Sequence, residues 1–135
     1  MKKILVGTDT SASADLAVDE AARLAGATGA ELLVLHVRPD ASVRDAVDPK
    51  KAADPRGYLA GIERRYPSIE VRSWAEPGDP AERLVAIAEQ ERVETIVVGN
   101  RGTRGSWWRV RDSVPNLVLR HAPCSVMIVD TRAAQ

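Results

Sequence analysis

The sequence predicts an α/β fold: a doubly wound, five-stranded parallel sheet with four helices. Three observations carry this. Short β-rich apolar runs alternate with stretches of helical period along the chain. The run Leu32-Leu33-Val34-Leu35-His36-Val37 is apolar almost throughout, as a strand covered on both faces must be. The order of the runs reads βαβ–α–β–α–β–α–β, which calls for right-handed crossovers between mostly parallel strands.

The elements follow in order. Ile4-Leu5-Val6 forms a first strand ended by Gly7-Thr8-Asp9-Thr10-Ser11. From about Ser13, Leu16, Ala17, Ala21, Leu24 and Ala25 keep a helical period, with Ser11 or Ser13 as N-cap and Gly26 or Gly29 as stop. The second strand is the run ending at Val37. Residues 38 to 54 are polar and broken by Pro39 and Pro49, and read as a loop. A helix over about 56 to 65 stops near Pro67, and Ile69-Val71-Ser73 alternates with charged neighbours, as an outer strand with one wetter face does. Pro77-Gly78-Asp79-Pro80 is a turn that opens an amphipathic helix with Leu84, Val85, Ile87 and Ala88 inward. A strand over Thr95 to Val98, a helix over about 113 to 121 and a strand from Ser125 to Val129 complete the order.

Composition bounds the function. The 135 residues suit one domain able to bury a core, built from Val, Leu, Ile and Ala because Phe is absent. Lys and Arg number 19 and so do Asp and Glu, a balance that argues against nucleic acid or an anionic membrane as partner. Cys124, the lone cysteine, reads as a small residue beside a strand. No apolar run approaches the roughly 18 residues of a membrane span, and Met1-Lys2-Lys3 leads straight into the first strand without a signal-peptide core, so a cytoplasmic location is expected.

In doubly wound sheets ligands bind beyond the carboxyl ends of the strands, where the strand order reverses. The loops at those ends are Gly7–Ser11, Val37–Asp40 and Gly99–Gly102. Asp9 suits ribose hydroxyls or a phosphate-bound cation, and equally suits a plain turn. The backbone of Val37 can pair with an adenine edge. Gly99 and Gly102 leave bare backbone for a phosphate, and Ser113 opens a helix whose N-terminus favours anions. Trp107-Trp108 point in different directions and read as local packing, with one able to cover the pocket. Trp74 reads as structural or edge-covering, and His36 and His121 as structural rather than metal-ligating. No nucleophile elbow, catalytic triad or Walker A lysine is present in the sequence, so any ATP hydrolysis is expected to be slow at most.

Four segments together resemble the universal stress protein family over nearly the whole chain, least well over 39 to 68. They are Ile4-Leu5-Val6-Gly7-Thr8-Asp9-Thr10-Ser11 (with Thr10 where the family usually has Gly), Gly78-Asp79-Pro80-Ala81, Ile96-Val97-Val98-Gly99 and His121-Ala122-Pro123-Cys124-Ser125-Val126-Met127-Ile128-Val129. The resemblance implies a Rossmann-like fold of the adenine nucleotide alpha hydrolase-like kind. It also implies ATP or another adenine nucleotide (AMP or cyclic AMP), with Mg2+ as its accompanying cation. Thr8 and Asp9 would contact the nucleoside and Val37 would read adenine. Val98, Gly99, Arg101 and Gly102 would line the ribose and phosphate path, with Ser113 and Val114 at the phosphates. A homodimer through Val126, Met127, Ile128 and Val129 is implied as well; an apolar edge strand needs covering in any case.

One position departs from the pattern. ATP-binding members carry Gly, two residues, Gly, nine residues, then Gly followed by Ser or Thr. Here the spacing from Gly99 and Gly102 is intact, but Asp112 precedes Ser113. A carboxylate within about 4–6 Å repels a phosphate, and its Cβ obstructs close backbone approach. Arg101, Arg104, Arg109 and Arg111 can offset that charge by ion pairing or draw phosphates themselves, or form a solvated loop. The expected function is a small stress-response regulatory module binding an adenine nucleotide. The alternative, favoured by Asp112, is a dimeric interaction scaffold that does not bind ATP.

Overall fold

The computed structural model describes residues 2–38, 55–100 and 114–131. Along the chain run β1 (Lys3–Thr8), α1 (Ala12–Thr28), β2 (Glu31–Arg38), α2 (Pro55–Arg65), β3 (Val71–Pro77), α3 (Pro80–Glu91), β4 (Thr95–Gly99), α4 (Val114–His121) and β5 (Ser125–Val129). The five strands form one sheet in the order β3-β2-β1-β4-β5, and every neighbouring pair is parallel. The chain therefore winds outward from β1 to β3, returns to the other side of β1 and winds outward again. Strand order reverses between β1 and β4.

Side-chain alternation explains why the strands read as continuous apolar runs. Ile4 and Val6 of β1, Leu32 and Val34 of β2 and Val97 of β4 face one layer, with Ala17, Val18, Ala21 and Ala25 of α1 and Leu59 and Ile62 of α2. Leu5, Leu33, Leu35, Val37, Ile96 and Val98 face the other, with Leu84, Ile87 and Ala88 of α3 and Val114 and Val118 of α4. The three central strands, β1, β2 and β4, thus bury both of their faces, and polar alternation has no place in them. The edge strands differ. β3 is only half-buried along most of its length, and on β5 Ile128 is 44% exposed.

Local chemistry sets the boundaries. Ser11 caps α1, its Oγ accepting from the Ala14 N–H at 3.0 Å, and Gly29 ends it at φ 70°. Asp79 caps α3 and accepts from the Glu82 N–H, with Pro80 at the first helical position. β1 runs two residues past its apolar triplet, through Gly7 and Thr8, because both remain paired with β2. β3 runs over Val71–Pro77 rather than 69–73, since its ladder with β2 continues to the Arg38–Pro77 pair. A proline is tolerated there because β3 is an edge strand.

The amino ends of the strands are tied by charge. Lys3 Nζ and Arg72 Nη2 both meet Glu91 Oε1 at 2.9 Å, and Arg72 Nε meets Glu31 Oε2 at 3.0 Å. No helix among the described residues is long and apolar enough to cross a membrane.

Candidate functional site

The turn after β1 is built on Thr8, whose side chain is wholly buried. Its Oγ1 accepts the Thr10 N–H at 3.0 Å and lies 3.2 Å from the Tyr58 hydroxyl of α2. Tyr58 in turn donates to Asp15 of α1. The Thr8 carbonyl accepts from His36 Nδ1 at 3.0 Å, which places the ring proton on that nitrogen. His36 is thus the structural residue the sequence suggests, but its role is to pin the end of β1 to β2. Burial first, and then the hydrogen bond to Asp15, push the Tyr58 phenol well above its ordinary value.

Asp9 follows. Its Oδ1 accepts the Ser11 N–H at 3.0 Å, closing an Asx turn that delivers the chain into α1. Thr10 at the crest has φ 68°, in the left-handed region that favours glycine. The resemblance places a glycine at this position, and the backbone here adopts the glycine conformation with a threonine.

The remaining predicted residues divide by what they present. Val37, Val98 and Val114 all send their side chains into the α3–α4 core, so each offers only backbone to a ligand. Val37 lies one residue past the last β1–β2 pair, Thr8–His36, and the Arg38 carbonyl accepts from the Gly78 N–H at 2.9 Å. In the β1–β4 ladder the last pair is Val6–Val97, so Thr8 and Gly99 both stand two residues beyond it at the switch point. Thr8, Asp9, Val37, Val98 and Gly99 are thereby brought to one end of the sheet, and Val114 begins the helix packed against it. Arg101, Gly102, Ser113 and Asp112 lie outside the described residues, as do Arg104, Trp107, Trp108, Arg109 and Arg111.

Gly99 has a packing reason of its own. A Cβ there would lie 2.7 Å from Cγ2 of Thr131, which is wholly buried. Thr131 is held in turn by its N–H to Asn100 Oδ1 at 3.0 Å, and the Asn100 N–H donates to the Val129 carbonyl at 2.9 Å. Gly7 is likewise a packing glycine, with the Leu84 methyls at 3.0 and 3.3 Å from where its Cβ would be. The bare backbone read as a phosphate approach is, at Gly99, first an approach for the C-terminal segment.

Beside the β2 end, Trp74 packs on the α3–α4 core, donates from Nε1 to Glu76 Oε2 at 2.7 Å and carries the Arg72 guanidinium over its ring, so it covers the β3 edge. Burial alone would raise the Glu76 carboxyl, but the bonds from Trp74 and Arg83 outweigh it and hold it below its ordinary value. Burial pushes the Cys124 thiol up against a weaker contact from the Ile96 backbone, which disfavours a reactive thiolate. Tyr58 and Asp15 are the residues that reading the chain in order misses. A signal existed: a tyrosine at a helix's inner face needs a polar partner for its hydroxyl, and Asp15 stands in the first turn of α1.

A sequence model of the universal stress protein family matches residues 1–130. A universal stress protein of Mycobacterium tuberculosis is 32% identical over 147 residues, covering 96% of this chain and 97% of its own. Among solved structures, the universal stress protein UspA of Lactobacillus plantarum superposes with a TM-score of 0.79 at 27% identity, over 95% of this chain and 97% of that one. A universal stress protein crystallised in complex with cAMP superposes with a TM-score of 0.78, also at 27% identity, over 96% of this chain and 97% of that one. With the match running over nearly its whole length and the same fold beneath it, this chain belongs to the universal stress protein family.

Proposed function

We propose that the chain is a small cytoplasmic regulatory module that binds an adenine nucleotide beyond the carboxyl ends of β1, β2 and β4. The observation that carries this is the convergence of Thr8, Asp9, Val37 and Gly99 where the strand order reverses, the position at which open α/β sheets take their ligands. A relative 27% identical in complex with cAMP supports the ligand class. Arg101, Gly102, Ser113 and Val114 complete the phosphate side, with Mg2+ as the accompanying cation for a polyphosphate. Nucleotide occupancy acts by biasing loops and subunit contacts rather than by turnover. Those contacts form through β5, whose outer edge is unpaired among the described residues and whose Ile128 is exposed. Ile128→Lys is expected to turn a dimer into a monomer in sedimentation velocity. A dimer that survives the change refutes the β5 interface.

Asp112 favours a second reading, in which the same fold is a dimeric scaffold without ATP. Titration calorimetry with AMP, cyclic AMP and ATP separates the two, on wild type and Asp112→Gly. The nucleotide reading expects AMP or cyclic AMP to bind wild type, and ATP to bind weakly or not at all until Asp112 is replaced. No binding of any of the three to either protein refutes the nucleotide reading and favours the scaffold.

A further inference from the structure

We propose that Tyr58 is a positioning residue for the nucleotide site, transmitting the docking of α2 to the turn that carries Asp9. The inference rests on the adenine-nucleotide reading of that site. The phenol has a single hydrogen, and it goes to Asp15. In the contact with Thr8 at 3.2 Å the phenol oxygen is therefore the acceptor and the Thr8 hydroxyl the donor. That same hydroxyl oxygen accepts from the Thr10 N–H at 3.0 Å. The result is a one-way chain, Thr10 N–H to Thr8 to Tyr58 to the Asp15 carboxylate. Each member polarises the next, and the chain terminates on a charged acceptor.

The chain spans three elements. It starts at Thr10 in its left-handed conformation, passes through the buried end of β1 and finishes on the first turn of α1 by way of α2. Asp9 sits between the two backbone positions it fixes and is itself tied to Ser11. Next along α1, Tyr66 donates to Asp19 in the same way, so α2 and the residue immediately after it clasp α1 at two carboxylates four residues apart. Only the Tyr58 clasp continues into the turn. The His36–Thr8 bond holds the carbonyl of the same residue, leaving the Thr8 hydroxyl as the part that depends on Tyr58.

The test combines amide hydrogen exchange with AMP titration on the full chain, using Tyr58→Phe, Asp15→Ala and Asp15→Asn. Tyr58→Phe and Asp15→Ala should each speed exchange of the Thr10 amide about tenfold, the loss of one hydrogen bond's protection, and weaken AMP by a similar factor. Exchange at Val97, in the interior of β4, should change far less. Asp15→Asn keeps a carbonyl acceptor for the phenol and should stay near wild type in both readouts. Acceleration that is equal at Thr10 and Val97 overturns the proposal, because it marks a general loss of stability. A loosened Thr10 with unchanged AMP affinity overturns it too. If wild type binds no adenine nucleotide, the functional reading falls, and the exchange arm alone decides whether Tyr58 holds the turn.

Discussion

Thr10→Gly tests the geometry of the first-strand turn directly. The backbone there has φ 68°. For an L residue the left-handed region costs roughly 1–2 kcal/mol, and a β-branched side chain makes it a clear outlier. Glycine removes that cost but returns about 0.5–1 kcal/mol of backbone freedom to the unfolded chain. The Thr10 side chain is exposed, so little burial is lost, and its N–H keeps its bond to Thr8 Oγ1 at 3.0 Å. The net expectation is a gain of about 0.5–1 kcal/mol, or roughly 2–4 °C in Tm for a chain of this size. Urea and thermal unfolding followed by circular dichroism measure it. Thr10→Ala is the control, because it keeps the Cβ and with it most of the conformational cost. A glycine variant less stable than wild type, or an alanine variant stabilised as much as the glycine one, refutes the argument from φ.

Gly99→Ala should destabilise by about 1–3 kcal/mol, the usual cost of forcing a methyl into a packed site, since its Cβ would meet Thr131 Cγ2 at 2.7 Å. Adding Thr131→Ser removes that methyl and should recover most of the loss in the same unfolding assay; a neutral single variant would falsify the packing role. Both tyrosines of the chain should titrate late in a near-ultraviolet tyrosinate titration. Burial first, and then the hydrogen bonds to Asp15 and Asp19, push Tyr66 up to about 12 and Tyr58 higher still. Because both folded values are raised, the stability they contribute is complete below the ordinary tyrosine value of about 10 and is lost as pH rises from there through about 12. A tyrosinate signal rising at the ordinary value in folded protein would show that the clasps are absent.

The central strands were legible because burial on both faces leaves no polar position to confuse the pattern. Leu32, Leu33, Val34 and Leu35 are all fully buried, alternating between the two helix layers. Strand β3 was legible only in part. At a sheet edge the apolar requirement relaxes, and Trp74, Glu76 and Pro77 do not announce themselves as strand residues. The caps of α1 were narrowed to pairs, and the pair members differ in what they can do. Ser11 has the Ala14 N–H in reach, whereas Ser13 is buried inside the helix, and Gly29 rather than Gly26 takes the positive φ. Tyr58 was not legible in order along the chain, because its partners Asp15 and Thr8 are 43 and 50 residues away and meet it only once α2 is laid on the sheet. Composition hinted at it, since a chain without Phe has few reasons to spend a tyrosine on a helix's inner face.

The glycine pair at the end of β4 changes weight once the fold is known. Spacing alone makes Gly99 and Gly102 look like one device for admitting phosphates. The structure gives Gly99 a separate reason to be glycine, the buried Thr131 behind it, and commits the Asn100 N–H to Val129 rather than to a ligand. A glycine that packing already requires is weaker support for a phosphate than a glycine with open space around it. Support for a nucleotide therefore comes less from the motif than from the geometry of the switch point and the β1 turn. There Thr8 is buried with its hydroxyl and carbonyl both engaged, and Thr10 holds a conformation costly for its type. Strain kept in place by a hydrogen-bond chain through two helices has a cost, and such costs persist where position matters. On that ground the nucleoside end of the proposed site, at Thr8 and Asp9, is where a ligand should first be sought. In the proposed site, Asp112 is expected to limit the phosphate chain that ligand can carry.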